Sequence, residues 1–293
     1  MKTLDNFKYV KPGSLKHACE LLADNDQAKA LAGGTALIYQ LKRRLVSPSH
    51  LVNLKLLPGL DCIEYDPRKG LRIGALTRLT DLGKVDIVKT KYPCLPDCVK
   101  GMGSIQMRNL ATVGGNLCHG EPAADLPPLL IALGAKVVLA GADGERNVRL
   151  DNFYRDFYET ALRKGEILEE VQIPRPRKRT GSAFIKYNPR SVMDMGVISV
   201  AATVTLEPDD DICRQVRIAL GGAAPTVIRV REAEDLLKGK KLTGRLIGQA
   251  AESAAACTDP ISDFRASAEY RMEMAAVYTE EAVVNALDRA QSS

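Results

Sequence analysis

The sequence predicts an α+β protein with two domains. Its 293 residues correspond to about two domains of average size. Helical and strand patterns alternate in the first part, whereas the second part is a meander of strands followed by helices, which is typical of a separate α+β domain. A segment rich in Pro and Arg divides the two parts. We therefore expect a first domain at residues 1–175, with lobes of about 1–56 and 57–175, and a second, smaller domain at residues 180–293.

The first lobe begins with a helix whose N-cap is Ser14. Apolar residues after Ser14 recur at the spacing of one helical face. Gly33-Gly34 then separates a short buried strand from a second helix, whose basic last turn suits the negative end of the helix dipole. The predicted elements are a helix at 15–22, a strand at 28–32, a helix at 36–45 and a strand at 51–54.

The second lobe combines a hairpin, helices and further strands. Turn residues between two short apolar runs predict the hairpin. Asp125 lies at the cap of a later helix, which has two Pro in its first turn and Gly134 after its end. The predicted elements are strands at 63–65 and 71–73, a helix at 76–82, a turn-rich stretch at 101–125, a helix at 126–133, and strands at 135–140 and 147–150.

A basic segment at residues 173–179 precedes the second domain. Its two Pro and four cations are unsuited to a core. We interpret it as a solvated linker or, alternatively, as a contact for an acidic partner or a phosphate group. Beyond it, the predicted elements are strands at 182–186, 197–206 and 216–220, followed by helices at 230–237, 246–257 and 266–289.

Composition argues against several classes of protein. The net charge is only +5, aromatic residues make up 5% and Trp is absent, which disfavours nucleic-acid binding. The seven Cys include no C-x-x-C pair, so we expect free thiols, no metal site and a reducing, cytoplasmic setting. No apolar run approaches the roughly 20 residues of a membrane span. With only three His, the reactive group is expected to be something that the chain binds.

Two glycine loops are the most informative local features. In Leu31-Ala32-Gly33-Gly34-Thr35 a strand meets Gly-Gly and then a helix, and the free N–H groups at such a helix start attract an anion. In Thr112-Val113-Gly114-Gly115-Asn116 the glycines lie between polar side chains. Each pair alone fits either a simple turn or a phosphate-binding loop. Neither matches G-x-x-x-x-G-K-[ST] or G-x-G-x-x-G, which disfavours a P-loop and a Rossmann site.

Several segments resemble a known flavoprotein family. They are Ala32-Gly33-Gly34-Thr35, Gln106-Met107-Arg108-Asn109-Leu110-Ala111-Thr112-Val113-Gly114-Gly115-Asn116, Pro122-Ala123-Ala124-Asp125-Leu126-Pro127-Pro128, Phe184-Ile185-Lys186, Met193-Asp194 and Phe264-Arg265-Ala266-Ser267-Ala268-Glu269-Tyr270-Arg271. In order and spacing they resemble the FAD-binding medium subunit of the molybdenum hydroxylases, the xanthine dehydrogenase and carbon monoxide dehydrogenase flavoprotein family. The resemblance covers nearly the whole chain.

The resemblance implies a two-lobed FAD-binding domain of the vanillyl-alcohol-oxidase (PCMH) type, followed by a CO dehydrogenase flavoprotein-like C-terminal domain. The two glycine loops would wrap the pyrophosphate of FAD from opposite sides. Asp125 would meet ribityl or ribose hydroxyls, although it can also simply cap a helix. Lys186 would lie at the pyrimidine end of the isoalloxazine, where a cation suits the negative charge of reduced flavin; its alternative is a plain edge-strand lysine. The implied cofactor-binding residues are Ala32, Gly33, Gly34, Thr35, Ala36, Leu37, Thr77, Met102, Ala111, Thr112, Gly114, Gly115, Asn116, Asp125, Leu126 and Lys186.

The chain departs from the family pattern at two places. Ala36 stands where many relatives have Asp or Ser, so one polar contact is missing. Cys118-His119-Gly120-Glu121 replaces a more usual run of small and Asn or Ser residues. His119 is either close to the cofactor or a surface residue, and Cys118 is either a packed thiol or a redox thiol. The cysteine-rich insert that holds a [4Fe–4S] cluster in some relatives is not visible.

The function implied by the resemblance is electron transfer within a complex. Electrons would leave the substrate at a molybdenum (or tungsten) cofactor in a large molybdopterin subunit and pass through [2Fe–2S] centres in a small subunit. They would then reach FAD in this chain and leave to an acceptor such as NAD. No residue of the chain is expected to act as a catalytic acid or base. The alternatives are a stand-alone FAD oxidase or reductase of the same loop architecture and a flavin-free assembly module.

Overall fold

The computed structural model describes residues 4–191 and 193–293. Its strands are β1 (Lys8–Val10), β2 (Ala28–Leu31), β3 (His50–Asn53), β4 (Ile63–Asp66), β5 (Gly70–Gly74), β6 (Lys136–Gly141), β7 (Gly144–Arg149), β8 (Tyr154–Asp156), β9 (Glu159–Thr160), β10 (Ile167–Ile173), β11 (Thr180–Tyr187), β12 (Ile198–Leu206), β13 (Cys213–Gly221) and β14 (Ile228–Arg229). Its α-helices are α1 (Leu15–Asp24), α2 (Thr35–Lys42), α3 (Leu79–Leu82), α4 (Asp86–Lys91), α5 (Cys94–Lys100), α6 (Ile105–Arg108), α7 (Val113–Cys118), α8 (Leu126–Ala132), α9 (Arg231–Leu237), α10 (Gly244–Ala256) and α11 (Ala268–Gln291). Within these described ranges, no helix has both the length and the apolar character needed to cross a membrane.

The first lobe is a small parallel sheet with two helices. Its strand order is β1-β3-β2, and both outer strands run parallel to β3. The predicted N-cap is confirmed, because the Ser14 hydroxyl accepts a hydrogen bond of 3.1 Å from the N–H of His17. Helix α2 ends at Lys42, before the predicted residue 45, and Arg44 just beyond it has a positive φ of 57°. Strand β1 was not predicted.

The second lobe is an antiparallel sheet of five strands, in the order β4-β5-β10-β6-β7. The predicted hairpin is confirmed as β4 and β5, and the pair β6 and β7 occupies the region of the two later strands. The central strand β10 was not predicted, because Glu169 and Glu170 interrupt its apolar pattern. The register shifts between Leu168 and Glu170, and Glu170 is satisfied by Arg72 at 2.8 Å.

Short helices fill the region from residue 79 to 118. The helix predicted at 76–82 is observed only from Leu79, because Thr77 is held in a turn by other bonds. The N–H of Thr77 donates to the carbonyl of Gly74 at 3.0 Å, and the hydroxyl of Thr77 donates to the carbonyl of Cys62 at 3.2 Å. The stretch predicted as turn-rich contains the one-turn helix α6 and the longer α7. Helix α8 confirms the helix predicted at 126–133.

The C-terminal part is an antiparallel sheet, in the order β11-β12-β13-β14, covered by helices. Helices α9 and α11 pack on one face of the sheet, and α10 packs against both of them, through a cluster of small and branched residues. Helix α11 lies directly on β11, since a Cβ placed at Gly181 would be 2.1 Å from the carbonyl oxygen of Ala286. Helix α8 packs on the opposite face, where Ala201 and Ala219 join the core of the second lobe.

The segment from 174 to 178 connects β10 to β11 and is largely exposed. The sheet before it belongs to one cluster of buried residues, and the sheet after it belongs mainly to another, although Ala201 and Ala219 join the first. The domain boundary expected in this segment stays a prediction.

Candidate functional site

A cavity of about 420 Å³ lies between the two lobes. We call it the glycine-loop cavity, because residues 32–37 of the first loop and Gly114 and Gly115 of the second line it. Cys118, His119 and Tyr158 line another part of its wall. Its volume is in the range of small-molecule and cofactor sites, about 300–1,000 Å³.

The first loop presents unpaired backbone donors. Gly34 is the N-cap of α2 and has a φ of +82°, a conformation that glycine adopts without the penalty of a side chain. Among the described residues, no hydrogen bond uses the N–H groups of residues 33–37. These groups lie at the positive end of the α2 dipole, which favours a negatively charged ligand.

The second loop uses its own N–H groups within the protein. The N–H of Val113 binds the carbonyl of Thr77 at 2.9 Å, and that of Gly114 binds the carbonyl of Ala75 at 2.8 Å. The N–H of Gly115 binds the hydroxyl of Thr112 at 3.1 Å. This loop therefore offers a close backbone surface rather than free donors.

The two loops touch each other. A Cβ placed at Gly33 would lie 2.2 Å from the carbonyl oxygen of Leu110, just before the second loop. A Cβ placed at Gly115 would lie 3.8 Å from the Cβ of Ala32 and would project into the space between the loops. The Oδ1 atom of Asn116 is buried without a hydrogen-bond partner among the described residues. The two loops together present main chain without side chains, with free N–H groups on the side of the first loop. Such a surface fits the pyrophosphate of a dinucleotide cofactor such as FAD.

A buried ion pair forms a second group of predicted site residues. The Nζ atom of Lys186 lies 2.8 Å from Oδ2 of Asp125, and both side chains are only 9% exposed. Lys186 also donates to the carbonyl of Gly101 at 3.0 Å, next to the buried Met102. Burial raises the pKa of the Asp125 carboxyl, and the charge and hydrogen bond of Lys186 oppose that rise. The second carboxylate oxygen, Oδ1, has no partner within the described residues.

The structure thus places the predicted residues in three settings. Those of the first loop, with Gly114 and Gly115, line the glycine-loop cavity. Thr112 and Asn116 of the second loop, the adjacent Ala111, and Thr77, whose carbonyl binds that loop, do not line the cavity, and Thr77 is only 1% exposed. A last group lies outside the lining of that cavity, near the C-terminal sheet: Met102, Asp125, Leu126 and Lys186. Contact of any of these residues with the cofactor stays a prediction.

Two side chains at the site were missed from the sequence. Tyr158 has a positive φ of 57°, and its hydroxyl donates to Oε2 of Glu121 at 2.6 Å. Arg108 donates to the carbonyls of Met102 and Gly103 at 3.0 and 2.7 Å and so fixes the loop before α6. Arg108 belongs to the motif that runs from Gln106 to Asn116, so a role for it could have been inferred from the sequence. Nothing in the sequence links Tyr158 to Glu121, which lies 37 positions away.

Burial controls the titratable groups of the cavity wall. It lowers the pKa of His119, whose ring centre is 5.2 Å from that of Tyr158. It raises the pKa of the Cys118 thiol to about 12, which disfavours the reactive thiolate. Burial and the bond to Glu121 raise the pKa of Tyr158 to about 12. Among the described residues, no group of three or more His, Cys, Asp and Glu is arranged to hold a metal ion.

The C-terminal motif forms a charged network. The buried Arg271 donates to Oδ1 of Asp263 at 2.8 Å and to the carbonyl of Val197. Arg265 binds Oδ2 of the same carboxylate at 2.6 Å. Although burial opposes it, hydrogen bonding by Arg265 and then Arg271 holds the pKa of Asp263 well below its usual range. This network ties the loop before α11 to the strand β12 and leaves Phe264 between its members exposed.

Comparison with known proteins agrees with this geometry. Residues 5–176 match the model of the FAD binding domain in molybdopterin dehydrogenase, and residues 183–286 match that of the CO dehydrogenase flavoprotein C-terminal domain. The chain is 34% identical to the glyceraldehyde dehydrogenase medium chain of Sulfolobus acidocaldarius, over 93% of this chain and 95% of that protein. It is 33% identical to the xanthine dehydrogenase FAD-binding subunit of Escherichia coli, over 97% of each.

A solved structure extends the likeness to three dimensions. It is carbon monoxide dehydrogenase from Hydrogenophaga pseudoflava lacking the Mo-pyranopterin moiety of its cofactor, with a TM-score of 0.94 and 34% identity. The match covers 98% of this chain and 99% of that one. The expected fold, the FAD cofactor and the assignment as an oxidoreductase subunit are therefore confirmed. The chain belongs to the family of FAD-binding medium subunits of molybdenum hydroxylase complexes, which includes the flavoproteins of carbon monoxide and xanthine dehydrogenases.

Proposed function

We propose that this chain is the electron-transfer subunit of a cytoplasmic molybdenum-containing hydroxylase or dehydrogenase. Its partners would be a small subunit with [2Fe–2S] centres and a large molybdopterin subunit with Mo or W. FAD would supply the redox chemistry between the [2Fe–2S] centres and an acceptor such as NAD. The likeness over nearly the full length of medium subunits supports this assignment.

The contact between the two glycine loops is the observation that carries the proposal. The free N–H groups of residues 33–37 would donate to the pyrophosphate, and the glycine-bare backbone of the second loop would allow it to approach. These contacts are made by the main chain, so they position the cofactor without placing a catalytic acid or base beside it. We propose the boundary near residues 173–180 as the division between this FAD domain and the C-terminal domain.

We propose that the ion pair of Asp125 and Lys186 serves the ring end of FAD. Lys186 holds a cation at the junction of the second lobe and the C-terminal sheet, shielded from water. Asp125 cancels much of this charge at long range, so Lys186 would act on a flavin group that lies close to its Nζ atom. Such a charge would favour the reduced, negatively charged flavin.

The proposal is tested in the native complex purified through this chain. Metal and cofactor analysis should find Mo or W, iron and FAD together. Replacing Gly115 by Leu fills the space facing Ala32 and should yield a complex that lacks FAD. Substrate should still reduce the iron–sulfur centres of that complex, while turnover with the acceptor is lost. The matched control is Gly248→Leu, because a Cβ at that position on α10 meets nothing within 4 Å.

Two results would contradict the proposal. Acceptor turnover that persists in the FAD-free Gly115→Leu complex would mean that electrons leave by another route. Steady oxidation of a small substrate by the isolated, FAD-loaded chain would favour the stand-alone oxidoreductase.

A further inference from the structure

A second cavity, of about 510 Å³, lies between the second lobe and the C-terminal sheet, beside the segment 174–178. It is formed by the end of α4, the start of α5, the segment 174–178 and the ends of β11, β12 and β13. It shares no lining residue with the glycine-loop cavity. We call it the basic cavity, after the cations that line it: Lys91, Arg175, Arg177, Lys178, Arg217 and Arg289.

The basic cavity carries an excess of positive side-chain charge. Six cationic side chains line it, and no Asp or Glu side chain does. Within the described residues, none of the six forms an ion pair with a carboxylate. The neighbouring Arg179 differs, because it lies outside the lining and is paired with Asp211 at 2.5 Å. Positive charge is therefore concentrated in the cavity itself and not along the whole basic segment.

Hydroxyl groups and a half-buried arginine form the inner wall. The side-chain oxygens of Ser182 and Thr203 are 2.9 Å apart, and those of Thr180 and Thr205 are also 2.9 Å apart. Arg217 lies over Gly134, where a Cβ would come within 2.8 Å of its Nη1 atom. The guanidinium of Arg217 donates no hydrogen bond and forms no ion pair within the described residues. Burial and the neighbouring charge of Arg229 lower the pKa of Arg217, so an anion close to it would be favoured.

The rim of the cavity is held in place. The buried Tyr92 donates from its hydroxyl to the carbonyl of Pro174 at 3.0 Å, which fixes the start of the basic segment. Arg289 donates from Nη1 to the carbonyl of Ser182 at 2.6 Å. These bonds leave the remaining donors of the fork-shaped Arg289 side chain available to a ligand.

We propose that the basic cavity binds a small, multiply charged phosphate compound of about the size of a nucleoside diphosphate. Arginine forks bind phosphate oxygens in pairs, and hydroxyls complete such sites. The cavity volume is within the usual range of small-molecule sites, about 300–1,000 Å³. The site is separate from the FAD site and does not depend on the proposed electron-transfer role.

The test uses inorganic pyrophosphate and ADP with the FAD-loaded chain, so that the glycine-loop cavity is already filled. Isothermal titration should show binding that weakens with added salt. Arg177→Gln combined with Lys178→Gln should weaken it about tenfold, and Arg217→Gln should weaken it further. FAD content and the circular dichroism spectrum, recorded for each variant, separate loss of the ligand from loss of the fold. The matched control is Arg245→Gln, an exposed arginine on α10 outside the cavity lining, which should bind as the wild type does.

Three results would overturn the proposal. One is that neither probe binds to the FAD-loaded wild type. Another is that binding is equal in the wild type and in the Arg177→Gln/Lys178→Gln variant. The third is that an acidic peptide binds to the cavity while both phosphate probes fail, which would assign this surface to a protein partner. None of these results bears on retention of FAD, so the proposed function is judged independently.

Discussion

The glycine-loop cavity and the ion pair of Asp125 and Lys186 consist of different kinds of chemical group. The first consists mainly of main chain: free amides from one loop and a bare glycine surface from the other. The second consists of two opposite charges buried together, each 9% exposed. Main-chain contacts carry no titratable group and are sensitive to added volume. A buried ion pair tolerates little loss of either charge, and its strength changes with pH.

The largest expected effect comes from breaking the ion pair on one side. Lys186→Met leaves the Asp125 carboxylate buried without its described cationic partner. We expect the free energy of unfolding to fall by about 4 kcal/mol, the usual cost of an uncompensated buried charge. Chemical denaturation of the purified chain measures it. The double variant Lys186→Met/Asp125→Asn should recover more than half of the loss, and equal losses in the two variants would show that the charges are not coupled.

The next effect tests the close contact between the loops. Gly33→Ala brings a Cβ to 2.2 Å from the carbonyl oxygen of Leu110, which is main chain and yields little. We expect a loss of about 3 kcal/mol in unfolding free energy together with most of the bound FAD. The matched control is Gly248→Ala within α10, which should stabilise the chain by about 0.5–1 kcal/mol and keep FAD. Full FAD content in Gly33→Ala would argue against the cradle.

The stability loss caused by breaking the ion pair should depend on pH, whereas the loss caused by a clash between the glycine loops should not. Burial raises the pKa of the Asp125 carboxyl, and without the Lys186 ammonium this pKa should lie still further above that of the same carboxyl in the unfolded chain. As the pH falls toward this raised pKa, Asp125 of the folded Lys186→Met variant takes up a proton before Asp125 of the unfolded variant does. The stability lost in the variant should therefore be regained by up to about 1.4 kcal/mol per pH unit.

Denaturation from about pH 7 to about pH 5 checks this expectation. Gly33→Ala serves as the comparison, because its loss arises from a steric clash and should stay constant over the same range. A constant loss in Lys186→Met would show that Asp125 does not titrate there.

The smallest effect concerns the space between the loops. Gly115→Ala places a methyl group 3.8 Å from Ala32, with the hydroxyl of Thr112 at 2.8 Å able to turn away. We expect FAD affinity to fall about fivefold, or about 1 kcal/mol, and the unfolding free energy to fall by no more than about 1 kcal/mol, because the Thr112 hydroxyl gives up its capping bond to the N–H of residue 115. Fluorescence titration of the apoprotein with FAD measures the affinity. Unchanged affinity would restrict the cofactor contacts of this region to the first loop.

Much of the fold was predictable because local signals agree with it. Ser14 caps a helix, the glycine loops separate elements, and the Asp125-Leu126-Pro127-Pro128 start of α8 is found as expected. Strand β10 was not predictable from its pattern, because Glu169 and Glu170 sit in its middle, and the partner of Glu170 is Arg72 on the neighbouring strand β5. The helices between residues 79 and 118 have only four to seven residues each and are too short to show a periodicity.

The candidate site was predictable residue by residue but not as an arrangement. The glycine loops and the cation at Lys186 were found from the motifs, whereas the pairing of Lys186 with Asp125 spans 61 residues and no local pattern encodes it. The N–H groups of the second loop are likewise hydrogen-bonded to carbonyls that are distant in sequence, those of Ala75 and Thr77. Such contacts arise only when the sheets are assembled.

The ion pair also joins the parts of the chain on either side of the exposed segment 174–178. Asp125 lies before that segment and Lys186 after it, and the N–H of Gly222 binds the carbonyl of Pro122 at 2.7 Å beside them. Trypsin should therefore cut after Arg177 or Lys178, where no Pro follows, without separating the products. We expect the nicked protein to behave as a two-fragment complex that co-elutes, keeps its yellow colour and comes apart only in denaturant.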